Sequence, residues 1–229
     1  MLSTWRHALK NARWSSVRYQ STVSSESIFS NHQSAEFLAA AANTSSIPEL
    51  HGVPEVIVTG RNGLVHASKK PGRTKSLNFY RVGPDPGRLV LVDAPGYGSR
   101  GRPEWGELFD HYIANRSQLA RVYILFNGKH GIKEYDRLML ESLEQKCQAQ
   151  EGHTRWTLQA IITKVDSIDG DVRRQINEMQ REIFEAAPTC LPGILTASSK
   201  RATLGIDDVR NSIIDACALG RVQSVVRRG

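Results

Sequence analysis

Short, apolar, β-branched runs alternate along this chain with segments of helical periodicity, and that alternation leaves few folds open. The runs are VIVT (56–59), LNFYRV (77–82), RLVLVD (88–93), VYILF (122–126), TLQAIIT (157–163) and GILT (193–196). Strands this apolar throughout belong to a sheet covered on both faces. Between the later runs, Tyr135, Leu138, Met139, Leu143 and Cys147 recur at helical spacing over 133–148. Val172, Ile176, Met179, Ile183 and Phe184 do so over 171–187, and Ile206, Val209, Ile213, Ile214 and Cys217 over 206–218. These stripes read as core. Runs 77–82 and 88–93 flank GPDPG, so that pair predicts an antiparallel hairpin. The segment AEFLAAAA within 26–47 reads as a short helix, and IPELHGVPE, with two prolines, as a linker. The expected class is α/β, a mostly parallel three-layer sheet with one antiparallel hairpin.

Charge divides the chain. Residues 1–25 carry Arg6, Lys10, Arg13 and Arg18 and no acid; the first acid is Glu26. An acid-free, Arg- and Ser-rich, amphipathic start has the composition of a mitochondrial transit peptide, with a cut near Tyr19–Ser21. Without those four cations the 30 basic residues fall to 26 against 23 acidic, so the formal charge drops from +7 to +3. That weakens the case for a general nucleic-acid binder. The expected layout is a presequence at 1–25, a helix and linker at 26–53, one globular domain at 54–219 and a basic tail at 220–229. No apolar run reaches the ~18 residues of a membrane span, so no membrane partner is expected; a monomer is. Cys147, Cys190 and Cys217 are far apart and form no C-x-x-C, which argues against a zinc site or disulfide framework. Cys147 and Cys217 read as buried free thiols.

In parallel sheets the ligand sits at the carboxyl ends of the strands. After run 88–93 comes DAPGYG: an aspartate ending an apolar strand, with glycine three residues on. That carboxylate can hold Mg²⁺, usually through water, and the Gly96 amide can meet a terminal phosphate. After run 157–163 comes TKVD, Thr163 to Asp166, in which a carboxylate can accept two hydrogen bonds from a guanine edge while a lysine stem packs along the base. After run 193–196 comes ASSK, a small-residue loop whose backbone can contact the base carbonyl. Before run 77–82 comes KKPGRT, whose Thr74 can give its hydroxyl to Mg²⁺ and its amide to the γ-phosphate. Each match is weak alone; their order is that of a G protein.

The combination SKKPGRTKSLNFYRV followed by LVDAPGYG resembles the EngB-type translational GTPases, and the resemblance extends over about residues 35–218. It implies a P-loop GTPase fold that binds GTP and GDP with Mg²⁺. It also implies a role in assembly of the large ribosomal subunit, in the mitochondrion given the presequence. By motif, Thr74 and Asp93 would serve Mg²⁺. Gly60, Gly72, Arg73, Thr74, Lys75 and Ser76, with Asp93, Ala94, Pro95 and Gly96, would line the phosphate side. Thr163, Lys164, Val165 and Asp166, with Ala197, Ser198 and Ser199, would hold guanine.

One part departs from the family. Members have G-R-S-N-x-G-K-S-[ST] after the first strand, then a helix. Here Gly60-Arg61-Asn62 runs straight into Gly63, and only 14 positions separate Gly60 from Thr74. A phosphate loop and its helix need on the order of 15 more. The lysine that bridges β- and γ-phosphates and the serine that ligates Mg²⁺ are missing from the sequence. GKHG at 128–131 does not replace them, because it comes after the wrong strand. The sequence on both sides of the gap stays family-like, which points to removal of a whole segment, by a skipped or mis-called exon, rather than to erosion by substitution. Losing three charge-assisted hydrogen bonds at roughly 1.5–3 kcal/mol each removes about 10³–10⁶ in affinity. Weakened nucleotide and Mg²⁺ binding and no efficient hydrolysis are therefore expected, with apolar strand surface left bare where the first helix is deleted. The alternative of another class is a non-catalytic RNA- or ribosome-binding module on a degenerate G-domain shell, contacting RNA through Lys69, Lys70, Arg73, Arg100, Arg102 and the tail VVRRG.

Overall fold

A computed structural model describes residues 28–29, 35–50, 52–60, 76–84, 87–95, 103–150, 155–197 and 204–219. Among them the strands are β1 (Ala35–Ala41), β2 (Glu55–Gly60), β3 (Leu77–Val82), β4 (Leu89–Asp93), β5 (Leu119–Asn127), β6 (Thr157–Thr163) and β7 (Leu191–Leu195). The helices are α1 (Pro103–Asn115), α2 (Glu134–Gln148), α3 (Val172–Ala186) and α4 (Ile206–Ala216). The strands form one sheet in the order β1-β3-β4-β2-β5-β6-β7. From β4 through β2, β5 and β6 to β7 every pair is parallel. The predicted β3–β4 pair is antiparallel, with Asn78 opposite Asp93 and Val82 opposite Leu89.

One expectation is overturned. Residues 35–41 form a strand, not a helix, and pair antiparallel with β3 from Ala35↔Val82 to Ala41↔Leu77. Alanine favours helix by only a few tenths of a kcal/mol over most residues. Here the alternative covers what would otherwise be the open edge of β3. Phe37 and Tyr80 meet edge to face at 5.7 Å, Glu36 pairs with Arg81, and Ala41 is fully buried.

Alternate residues of β2 feed two cores. Ile57 packs with Val92, Leu108, Phe109, Ile124, Leu140 and Ile162 under α1, α2 and α3. Val56 and Val58 pack with Tyr123, Ile213, Ile214 and Ile28, with Phe29 against the same cluster. The expected bare strand surface is therefore absent at β2. Val56 and Val58 are buried, because α4 and the Ile28–Phe29 segment occupy that face. Three stripe residues read as core are exposed instead: Tyr135 (56%), Leu138 (53%) and Phe184 (66%). The buried arc of α2 rotates past Tyr135 and Leu138 to admit Glu144. That carboxylate accepts from the Thr189 hydroxyl at 2.7 Å, the Thr189 amide at 3.2 Å and Gln148 at 2.7 Å. Phe184 lies on the side of α3 opposite Glu182, which meets Arg137 of α2. The three cysteines are free thiols. Cys217 is buried and Cys147 half-buried, and burial pushes Cys190 and Cys217 up to about 12.

The amino end of β2 is pinned by a buried carboxylate. Glu55 has no exposed surface; it accepts the Tyr112 hydroxyl and the Arg116 Nε at 2.9 Å, while Arg116 Nη2 reaches the Pro48 carbonyl at 2.9 Å. Burial first, then the Glu55 charge, raises the Tyr112 phenol well above its usual range, so it stays a donor. A charge stripped of its partner inside a protein is strongly destabilising. Arg116→Ala should therefore lower unfolding stability by about 3–5 kcal/mol, measured by urea denaturation. A loss under about 1 kcal/mol would show that water, not Arg116, satisfies Glu55.

Candidate functional site

The carboxyl ends of β2, β4, β6 and β7 bring the sequence-predicted residues to one edge of the sheet. At the end of β2, Gly60 lies so close to β5 that a Cβ would stand 2.8 Å from Leu125 Cβ and 3.0 Å from its carbonyl oxygen. Only glycine lets β2 leave the sheet this tightly against its neighbour. At the end of β4, Asp93 is 2% exposed. The turn after it is fastened to β2: the Ala94 amide donates to the Val58 carbonyl at 2.9 Å, and the Thr59 hydroxyl to the Pro95 carbonyl at 3.4 Å. The Asp93 charge adds to burial in raising the Tyr80 phenol. On β3, Asn78 accepts the Ser76 hydroxyl at 3.2 Å.

The T-K-x-D segment folds as the sequence position suggests. Thr163 closes β6, and its hydroxyl donates to the Phe126 carbonyl at 3.0 Å. Lys164 comes next at φ 55°, ψ 37°, a left-handed conformation uncommon outside glycine. That single residue turns the chain off the strand into the 3₁₀ turn Val165–Ser167 and leaves Lys164 exposed at the edge. Val165 is fully buried and its amide donates to the Thr196 carbonyl at 3.1 Å. Asp166 Oδ1 is buried and has no hydrogen-bond partner among the described residues. An orphaned carboxylate oxygen is costly, and it is what a site lacking its ligand should show. Ala197, fully buried at the end of β7, donates its amide to the Leu204 carbonyl at 3.0 Å.

Two positioning residues escape a reading of the sequence. Gly128 donates its amide to the Thr163 carbonyl at 2.7 Å, and a Cβ there would stand 2.9 Å from that oxygen. Gln175 of α3 donates to the Gly128 carbonyl at 2.5 Å. Together they fix the strand end from which Asp166 is presented. Both signals are backbone contacts that no motif carries.

Of the remaining predicted site residues, Gly72, Arg73, Thr74, Lys75, Gly96, Ser198 and Ser199 lie outside the described residues, as do Lys69, Lys70, Arg100, Arg102 and the basic tail. Among the described residues no group of three or more His, Cys, Asp or Glu forms a metal cage. Asp93 suits a Mg²⁺ held by one carboxylate together with substrate phosphates, the usual mode for that ion. A shallow groove of about 440 Å³ lies elsewhere, along α3 from Asp171 to Arg181. Arg174 and Arg181 there already pair with Glu178 and Glu185, so it shows no convergent ligand geometry.

The chain is similar to known GTP-binding proteins. Residues 57–164 match the family model described as a 50S ribosome-binding GTPase. The probable GTP-binding protein EngB of Ruegeria sp. (strain TM1040) is 32% identical over 161 residues, 68% of this chain and 69% of that protein. Its namesake in Rhodopseudomonas palustris (strain BisA53) is 29% identical over 202 residues, 80% and 89% of the two chains. The crystal structure of Era in complex with MgGDPNP and nucleotides 1506–1542 of 16S ribosomal RNA is similar in fold, with a TM-score of 0.51 at 14% identity. That likeness covers 72% of this chain and 56% of that one.

If the Asp166 carboxylate is kept for a ligand and not for the fold, removing it costs no stability. Asp166→Ala should shift the unfolding free energy by less than about 0.5 kcal/mol, or raise it, in a denaturant titration without nucleotide. A loss above about 1.5 kcal/mol would assign Asp166 to the fold.

Proposed function

Because the chain belongs to the EngB family of GTP-binding proteins, we propose that it binds guanine nucleotides through an intact base site and a depleted phosphate site. On the same reading it serves large-subunit assembly in the mitochondrial matrix. The observation that carries the base site is Asp166, whose buried carboxylate oxygen just after β6 has no partner among the described residues. Two hydrogen bonds from a guanine edge would satisfy it, and guanine is the purine that offers two adjacent donors there. The layout proposed is a presequence at 1–25, a G domain running to 219 with β1 as its edge strand, and a basic tail at 220–229. The acid-free start supports the organelle, and the family's description supports the ribosomal large subunit.

Phosphate binding is the weak half. Asp93, with Thr74 and phosphate oxygens, would hold Mg²⁺, which when bound neutralises phosphate charge. The sequence lacks the G-K-[ST] that would cradle the β- and γ-phosphates, so orientation of the γ-phosphate fails before base recognition does. Hydrolysis rests on that positioning, and no efficient turnover is expected.

Titration of the 229-residue chain with a fluorescent GDP tests both halves. A dissociation constant of about 1 μM or weaker is expected, with displacement by GDP and GTP but not by ADP or ATP. Sub-micromolar affinity would sink the depleted-phosphate reading. Equal displacement by adenine nucleotides would sink the base-site reading. Salt-sensitive binding to ribosomal RNA that ignores guanine nucleotide would then favour a non-catalytic RNA module.

A further inference from the structure

Gly205 lies behind the nucleotide edge, and no motif singles it out. It precedes α4 at φ 76°, ψ 0°, and a Cβ there would stand 1.9 Å from the Leu195 carbonyl oxygen, 3.0 Å from its carbon and 3.4 Å from Thr196 Cα. The obstruction is backbone, so no side-chain rotation relieves it. The φ itself disfavours any L side chain.

What Gly205 touches is the end of β7, and that strand end leads into one base loop and is hydrogen-bonded to the other. The Thr196 amide donates to the Ile162 carbonyl at 2.8 Å, and the Thr196 carbonyl accepts the Val165 amide at 3.1 Å, one residue before Asp166. The next residue, Ala197, donates to the Leu204 carbonyl at 3.0 Å, one residue before Gly205. The Asp166 turn, Ala197 and Gly205 are thus joined through two consecutive residues, Leu195 and Thr196. We propose that Gly205 is a positioning residue for nucleobase discrimination: its missing side chain lets α4 start flush against β7, which sets Ala197 and the Val165–Asp166 turn in register. This rests on the guanine reading above. A side chain at 205 must push Leu195–Thr196 aside by at least about 1 Å, and displacements of that size separate a working site from a loose one.

The test compares the 229-residue chain with Gly205→Ala on two readouts. The first is the ratio of affinities for GDP and IDP; inosine lacks the 2-amino group that a carboxylate such as Asp166 would accept. The unaltered chain should prefer GDP at least about tenfold, and the variant by no more than about twofold. The second is amide hydrogen exchange at Val165 and Ala197. Both amides should be protected in the unaltered chain and exposed in the variant, while those of β5 and β6 stay protected. A purely structural role would weaken both nucleotides equally and keep the ratio, which would overturn the proposal, as would retained protection at both amides. If the unaltered chain does not prefer GDP over IDP, the guanine reading itself fails. The discrimination role of Gly205 then falls with it, and lost protection at Val165 and Ala197 would show only that Gly205 sets their register. Should Gly205→Ala not fold, Ala197→Pro deletes the N–H given to Leu204 without adding an atom at 205. It must lower the GDP-to-IDP ratio in the same way, and an unchanged ratio overturns the proposal.

Discussion

The site depends on a single strand pinned at both ends. β2 is buried over all six of its residues and bonded to β4 on one side and β5 on the other. Its amino end is held by the Glu55 carboxylate between Tyr112 and Arg116, and its carboxyl end by the close approach of Gly60 to Leu125. With β2 fixed, the Ala94–Val58 and Thr59–Pro95 hydrogen bonds fix the turn carrying Asp93. The β2–β5–β6 register then places Thr163 beside Asn127 on the same edge. The geometry of the edge is therefore built from the sheet outward and does not need a phosphate loop to define it.

That independence explains how the two halves of the proposed function separate. Base recognition draws on β6 and β7 and on backbone bonds among Val165, Thr196, Ala197 and Leu204. Phosphate recognition draws on the segment after Gly60, where the sequence lacks the lysine and hydroxyl of a phosphate loop. A deletion there would leave the base edge standing, because none of those bonds passes through it. The second core would tolerate it for a similar reason: Ile28, Phe29 and α4 pack on the face of Val56 and Val58. The Arg210 guanidinium of α4 lies 5.9 Å from the Phe29 ring centroid.

Much of this was legible in the sequence where side-chain pattern and structure coincide. Leu77–Val82 and Thr157–Thr163 are strands over the residues their composition marks, and α2, α3 and α4 match their stripes to within a few residues. β1 was not legible, because its seven residues include four alanines and its strand state comes from β3, a partner distant in sequence. α1 carries Gly106 near its start, which hides it. Yet Leu108, Phe109, Tyr112 and Ile113 form an i, i+1, i+4, i+5 stripe that could have found it. The strand-end positions of Asp93, Thr163 and Asp166 were legible because each closes or directly follows an apolar run. Gly128, Gln175 and Gly205 were not, because they act on carbonyls that only the folded chain brings near.

If the base edge is complete and the phosphate grip alone is missing, restoring the grip should restore affinity. The decisive quantity is GDP affinity after inserting a G-x-x-x-x-G-K-[ST] loop and a following helix between Asn62 and Gly63. GDP binding should tighten by about 10³–10⁶-fold, with Asp166→Ala abolishing the gain. A folded insertion chain whose GDP affinity stays within about tenfold of the 229-residue chain would place the defect in the base edge itself and refute the separation of the two halves.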